Sequence, residues 1–437
     1  LKNQVLITPA KYLRGEITLP GDKSITHRAI IFSSIAEGRS YLKGMQRGKD
    51  CLATLKCMRG MGVPIREEEK EVIIEGVGLG GLKEPEDVLN CENSGTTMRL
   101  LAGLLAGQRF YSVLSGDEFL RKRPMKRIVK PLREMGAKIE GREKGNFPPL
   151  TIVGGELKGI NYSSLIASAQ VKSCLLLAGM YAEGETFVRE PYKSRDHTER
   201  MMQYLGIPVK VKGLEVQIGS KKSRKSRRSF KGKSFYIPGD ISAGAFFIGA
   251  AVSLPGSRVK LSNVGLNPTR RGFLDVLLKM GAEIKISNFK KICEEEVGDI
   301  EVKGGNNLRG VVVQGEMIPR LIDEIPILAV VSCFAQGDTL IKDAGELRVK
   351  ETDRIRAMVS ELKKMGADIE EREDGMLISG RNKLKGTLVN SWGDHRIAMA
   401  LTIAGLRCEG ETTVTDTQCI DTSFPEFQKT LRELEKT

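Results

Sequence analysis

Apolar and polar positions follow one phrase that returns along the chain. A turn with a capping residue leads into an apolar helix rich in Ala and Gly, then a small-residue stop and a strand-like run. It appears at PGDKSITHRAIIFSSIAEGRSYL, ENSGTTMRLLAGLLAGQRFYSV, SSLIASAQVKSCLLLAGMYAEGETFV, PGDISAGAFFIGAAVSLPGSRVKL, LIDEIPILAVVSCFAQGDTLIK and WGDHRIAMALTIAGLRCEGETTV. Between these lies a second phrase, in which a helix ends at Met-Gly or Leu-Gly and alternating strands follow: MRGMGVPIREEEKEVIIEG, LREMGAKIEGREKGNFPPLTIVGG, MMQYLGIPVKVKGLEVQIG, LLKMGAEIKISN and LKKMGADIEEREDGMLISG. The glycine suits a helix C-cap and the period-two runs suit hairpins. The pattern predicts six units of roughly 70 to 85 residues, each too one-sided to be stable alone, packing three to a domain around shared cores.

Composition fits that organisation. A chain of 437 residues with 40% hydrophobic content suits a two-domain globular protein. Apolar runs stop well short of the roughly 20 residues a bilayer span needs, and LKNQVLITPAKYLRG lacks signal-peptide anatomy, so a cytoplasmic enzyme is expected. Eight cysteines form no CxxC pair, and with only three histidines a metal cluster is not expected. Cys174 and Cys333 stand in apolar runs and read as small core residues. Net charge is +14, and eight basic residues fall between Lys221 and Lys233. That run lacks the interleaved aromatics of a base-stacking surface, and between VKGLEVQIG and FYIPGD it reads as a solvated strand connection.

Charge becomes informative where it opposes the helix dipole. Lys23, His27 and Arg28 crowd a helix N-terminus, where partial positive charge already accumulates, so an anion between them is the natural complement. The repeat supplies a control, because PGDISAGAFF keeps Asp240 and Ser242 but places Ile241, Ala245 and Phe246 where PGDKSITHRA has the cations. Asp22, Ser24, Asp240 and Ser242 then read as caps, Lys23 and Arg28 as functional, and His27 as packing or support. Asp394, His395 and Arg396 repeat the anomaly before another apolar helix. Arg121, Lys122 and Arg123 precede a helix expected near Pro124. Lys350 and Arg354 read as an i, i+4 pair, with Glu351 beside them at a helix start. Ser168 and Gln170, Arg195, and Asp323 stand at further helix starts, where phosphate binding, a bidentate clamp, and either a cap or a general base are the respective readings. No GxxxxGK[ST] is present.

PGDKSITHRA, NSGTTMRLLAG, RKRPM, SAQVKS, SRDHTERM, PGDISAGAFF, IDEIP, LRVKETDRI and DHRIAMA, in this order, closely resemble the 5-enolpyruvylshikimate 3-phosphate (EPSP) synthase family of enolpyruvyl transferases over nearly the whole chain. The resemblance implies an α/β fold, a two-domain inside-out α/β barrel of six βαβαββ repeats, three per domain. It joins residues 1–20 with about 239–437 and inserts about 21–238 as the other domain, with the substrates in the interdomain cleft. The implied reaction moves the enolpyruvyl group of phosphoenolpyruvate to the 5-hydroxyl of shikimate 3-phosphate and releases phosphate, on the route to chorismate and aromatic amino acids. Lys23, Ser24, Arg28, Ser168, the backbone of Ala169, Gln170, Arg195, Asp323 and Lys350 would bind shikimate 3-phosphate. Lys23, Gly95, Arg123, Gln170, Arg354 and Arg396 would bind phosphoenolpyruvate. Asp323 is assigned to the hydroxyl proton, and Glu351 with Lys23 to the methylene proton. The family implies no cofactor or metal, two small anionic substrates as partners, no nucleic acid or membrane, and a monomer.

Departures are specific. One branch of the family carries two serines before the glutamine and a lysine near the C-terminus, where this chain has Ser168 then Ala169, and Gln418. SAQVKS and SRDHTERM resemble the branch associated with tolerance of glyphosate, the herbicide that targets this family, yet tolerant members can carry alanine at the position of Gly95, so sensitivity stays open. The sister family acting on UDP-N-acetylglucosamine carries a loop cysteine where this chain has Glu118. A nucleic-acid-binding protein on the same repeat, as in RNA 3′-phosphate cyclases, is the alternative of another class.

Overall fold

The structure, a computed structural model, describes residues 3–220, 229–305, 307–380 and 383–435. Its strands form six small sheets, five of four strands and one of three. All six share one wiring, in which a central strand has a parallel neighbour on one side and an antiparallel one on the other. Glu37–Lys43, Tyr111–Ser115 and Gly184–Arg189 are the central strands of one set. Arg258–Gly265, Asp338–Ile341 and Thr412–Thr415 are those of the other.

The chain divides into two compact units, Gly21–Ile237 with Ile292–Glu295, and Leu1–Pro20 with Pro238–Lys291 and Glu296–Thr437. Each has its own hydrophobic core. In the first, the helices Lys23–Ile35, Gly95–Ala106 and Ala169–Gly179 form the interior, and the last is buried without interruption from Val171 to Gly179. Such helices are apolar all round because every face meets protein. The sheets surround them, and Phe147–Val153 shows the expected alternation, with Leu150 and Ile152 buried and Pro149 and Val153 exposed. In the second unit Ile241–Ser253, Ile325–Ser332 and His395–Gly405 take the interior places. Each unit is therefore an inside-out α/β assembly of three repeats.

The Met-Gly and Leu-Gly stops end helices as the pattern predicts. Gly62, Gly136, Gly206, Gly281 and Gly366 all have positive φ, where a Cβ would be strained. The first residues are woven into the second unit: Gln4–Ile7 pairs with Thr412–Thr415, and Arg14–Thr18 with Arg258–Gly265. Lys221 to Arg228 of the basic run lie outside the described residues. Of the remainder, Lys231 Nζ is 2.8 Å from Glu37 and Lys233 Nζ donates to the Tyr204 carbonyl at 2.6 Å.

Candidate active site

In the unit containing Gly21–Ile237, four helix starts are tied together by side chains. Asp22 caps the first, its Oδ1 accepting the Ile25 N–H at 2.9 Å. Lys23 is the first residue of that helix and its ammonium pairs with the buried Asp50 carboxylate. Arg28, 3% exposed, donates from Nε to Thr198 Oγ1 at 2.7 Å, from Nη1 to the Ser24 carbonyl at 2.9 Å and from Nη2 to Ser173 Oγ at 2.7 Å. Burial lowers its guanidinium to about 10 and Arg195 adds to this, while Glu199 and Asp22 oppose it, so it stays charged at neutral pH. His27 is fully buried, with Nδ1 2.6 Å from Thr54 Oγ1. Burial, reinforced by Lys23 and Arg28, holds its pKa well below the usual histidine range, so it is a neutral packing residue at pH 7.

Gly95 opens the second helix and has two guanidinium groups over it. An added Cβ would lie 2.5 Å from Arg99 Nη1 and 3.3 Å from Arg123 Nη1. Arg123 donates to Asn93 Oδ1, and Arg99 to Gln170 Oε1 at 2.8 Å, while Gln170 Nε2 donates to Thr96 Oγ1 at 2.9 Å. Of the three basic residues before Pro124, only Arg123 is buried. The helix after it starts at Lys126, two residues beyond Pro124, because Leu120–Lys122 forms a 3-10 turn and Arg123 is extended. Ser168 caps the third helix, accepting the Val171 N–H at 3.4 Å, so Ala169 and Gln170 lie in its first turn. Arg195 and Asp196 precede the fourth helix, His197–Leu205.

The other unit gathers opposite charges around Asp323. Its Oδ1 lies 3.6 Å from Lys350 Nζ and 3.2 Å from Arg354 Nη1, and its Oδ2 lies 3.7 Å from Arg396 Nη2. Asp323 does not cap its helix. Glu324 takes that position without a side-chain cap bond, and Asp323 faces the cations instead. Arg354, 1% exposed, also reaches Glu351 Oε2 and Asp394 Oδ2, both at 2.7 Å. Burial opposes its charge, but Asp394, Glu351 and Asp323 outweigh burial and hold it firmly protonated. Asp394 Oδ1 accepts the Arg396 N–H at 2.8 Å, capping His395–Gly405. The i, i+4 reading of Lys350 and Arg354 is corrected here: the helix starts at Arg354, Lys350 ends a 3-10 turn, and the two meet at Asp323 rather than along a helix face. Arg354 is buried, so its ion pairs are not surface contacts.

The first unit thus presents cations, hydroxyls and helix N-termini, and the second presents cations at helix N-termini beside carboxylates, chemistry suited to small polyanions with hydroxyl groups. The family model described as EPSP synthase (3-phosphoshikimate 1-carboxyvinyltransferase) matches residues 7–431. The chain belongs to the EPSP synthase family. Relatives named 3-phosphoshikimate 1-carboxyvinyltransferase include those of Geobacter metallireducens, 52% identical over 96% of both chains, and Thermodesulfovibrio yellowstonii, 52% identical over 99% of both. The structure resembles EPSP synthase from Acinetobacter baumannii with a TM-score of 0.87 and 44% identity, covering 99% of this chain and 98% of that one. Among the described residues no helix is long and apolar enough to cross a membrane, and no group of three metal-ligating side chains occurs.

Within this EPSP synthase family chain, Asp50, Arg99, Lys172 and Glu190 touch the residues singled out from sequence but were themselves passed over. Arg99 and Lys172 carried a usable signal. Each is a charge inside an otherwise apolar helix, which burial forces to find a partner.

Proposed function

We propose that this chain transfers the enolpyruvyl group of phosphoenolpyruvate to the 5-hydroxyl of shikimate 3-phosphate and releases inorganic phosphate, by addition and elimination, in the shikimate pathway. The observation that carries the reading is the match to the family over residues 7–431; the anion-binding chemistry of both units supports it. Lys23, Ser24, Arg28, Ser168, the Ala169 backbone, Gln170, Arg195, Asp323 and Lys350 hold shikimate 3-phosphate. Lys23, Gly95, Arg123, Gln170, Arg354 and Arg396 hold phosphoenolpyruvate. The enzyme works as a cytoplasmic monomer.

Asp323 takes the proton of the 5-hydroxyl as its oxygen attacks C2 of phosphoenolpyruvate. Glu351 and Lys23 serve the methylene carbon, which gains a proton to become a methyl group. The second step removes a proton from that methyl, restores the double bond and expels phosphate. Arg123, Arg354 and Arg396 stabilise the charge that develops on the carboxylate and the leaving phosphate. Asp323 and Glu351 both pair with Arg354, at 3.2 and 2.7 Å, which supports a joint role for the two carboxylates.

Phosphate release from phosphoenolpyruvate tests the proposal, measured separately with shikimate 3-phosphate and with UDP-N-acetylglucosamine. Release with shikimate 3-phosphate alone, reduced about 10³-fold or more in Lys23→Met, is expected. Release only with the nucleotide sugar would overturn the substrate assignment.

A further inference from the structure

Behind the Ser168 end of the Ala169–Gly179 helix lies a buried charge cluster that no step above uses. Lys172 is 2% exposed, and its Nζ lies 2.8 Å from both Glu190 Oε2 and Glu199 Oε1. It also donates to the Ser194 carbonyl at 3.5 Å. Glu190 follows the strand Gly184–Arg189, and Glu199 lies in His197–Leu205. Burying such a cluster costs desolvation that the ion pairs rarely more than recover, so stability alone is a poor reason for it.

Glu190 does something else with its carboxylate. Its Oε1 accepts the Ser168 N–H at 3.0 Å, while its Oε2 accepts the Ser194 N–H at 3.4 Å and the Ser194 hydroxyl at 2.9 Å. One side chain therefore ties the segment of Ser168 and Ala169 to the segment of Ser194 and Arg195. Lys172 fixes where that carboxylate points. Its single positive charge is shared between Glu190 and Glu199, so it offsets one of the two carboxylates.

We infer that Glu190 is a positioning residue for the phosphate of shikimate 3-phosphate, held in place by Lys172. The inference rests on the function proposed above, which assigns Ser168, Ala169 and Arg195 to that substrate. A hydroxyl, an N–H and a guanidinium from two separate segments must converge on one phosphate. Slack between the segments of about 1 Å is enough to lose much of that convergence. The effect must fall on the phosphate and spare the rest of the ligand.

The test compares binding of shikimate 3-phosphate with binding of shikimate, which lacks the phosphate, in wild type and Glu190→Gln, together with steady-state kinetics and thermal melting. Glu190→Gln should weaken shikimate 3-phosphate about ten-fold, leave shikimate unchanged, raise KM for shikimate 3-phosphate more than it lowers kcat, and leave KM for phosphoenolpyruvate in place. A purely structural Glu190 would weaken both ligands alike, and an unchanged ratio between them overturns the inference. Should Glu190→Gln fail to fold, Ser194→Ala removes a single bond to Glu190 and must compress the same ratio a few-fold; if it does not, the inference also fails. Wild-type activity with shikimate 3-phosphate upholds the function whatever the variants show, whereas wild type that binds neither ligand sinks both.

Discussion

Gly95 has no room for a side chain, and what crowds it decides the consequence. The atoms nearest to an added Cβ are the far ends of Arg99 and Arg123, which can swing aside, so Gly95→Ala should fold with a stability loss below about 1 kcal/mol. The swing disturbs the Arg99 bond to Gln170 and moves Arg123. KM for phosphoenolpyruvate is expected to rise about ten-fold and KM for shikimate 3-phosphate by less, since Gln170 is the one residue of that set the swing reaches, and initial-rate kinetics with each substrate varied will show it. His27 supplies a second expectation. The unfolded chain binds a proton near pH 6.5, while burial beside Lys23 and Arg28 keeps the folded ring neutral to well below that. The unfolded state therefore binds more protons below 6.5, and stability falls as pH drops through that value, by up to about 1.4 kcal/mol per unit. Denaturant unfolding at pH 7.5 and 5.5 should show the loss in wild type and a smaller one in His27→Gln. Residues such as Lys23, Arg28 and Arg396 were legible in the sequence because a cation at a helix N-terminus opposes the dipole. Asp50 and Glu190 were not, since an acid in the first turn of a helix or just after a strand looks ordinary until folding shows what it faces.

Helix ends are where sequence and structure agree best, and the cause is local chemistry. Gly206 follows His197–Leu205 at φ 76, and a Cβ added there would meet nothing within 4 Å. Gly206→Ala therefore meets only backbone strain, about 1 kcal/mol. Gly103 is a different case. Inside the Gly95–Ala106 helix its Cβ would lie 2.1 Å from the Cys174 carbonyl oxygen of the neighbouring buried helix, and neither backbone can yield without moving a core. Gly103→Ala should cost about 3 kcal/mol or more, and urea unfolding of the two variants side by side should separate them clearly. One helix start was misplaced for a local reason. The segment from Lys350 to Arg354, which reads as one helix face, follows the 3-10 turn Gly345–Val349, and the true start at Arg354 is marked only by Asp353, which accepts the Arg356 N–H at 3.0 Å.

The sixfold repeat was legible because each copy spells helix, stop and hairpin in local residues. The strand that completes each sheet is harder to read, since its partner can lie far along the chain. Ser234–Tyr236 joins Glu37–Lys43, and Arg14–Thr18 joins Arg258–Gly265, with no local pattern naming either partner. This long-range pairing makes a prediction about folding units. Residues 3–20 supply two strands to sheets of the second unit, and Ile7, Leu13, Ile17 and Leu19 are buried in its core. Four such side chains contribute roughly 6–12 kcal/mol of burial, comparable to the whole stability of a domain. Residues 238–437 alone should therefore fail to unfold cooperatively, and should recover a cooperative transition when a peptide of residues 3–20 is added. Residues 21–237 keep their three core helices and three sheets, so that fragment should melt cooperatively by itself. Circular dichroism melts of both fragments, with and without the peptide, will decide it. A cooperative, peptide-independent melt of 238–437 would mean that its core closes without the first strands, and that the N-terminal segment trims an edge rather than completing the fold.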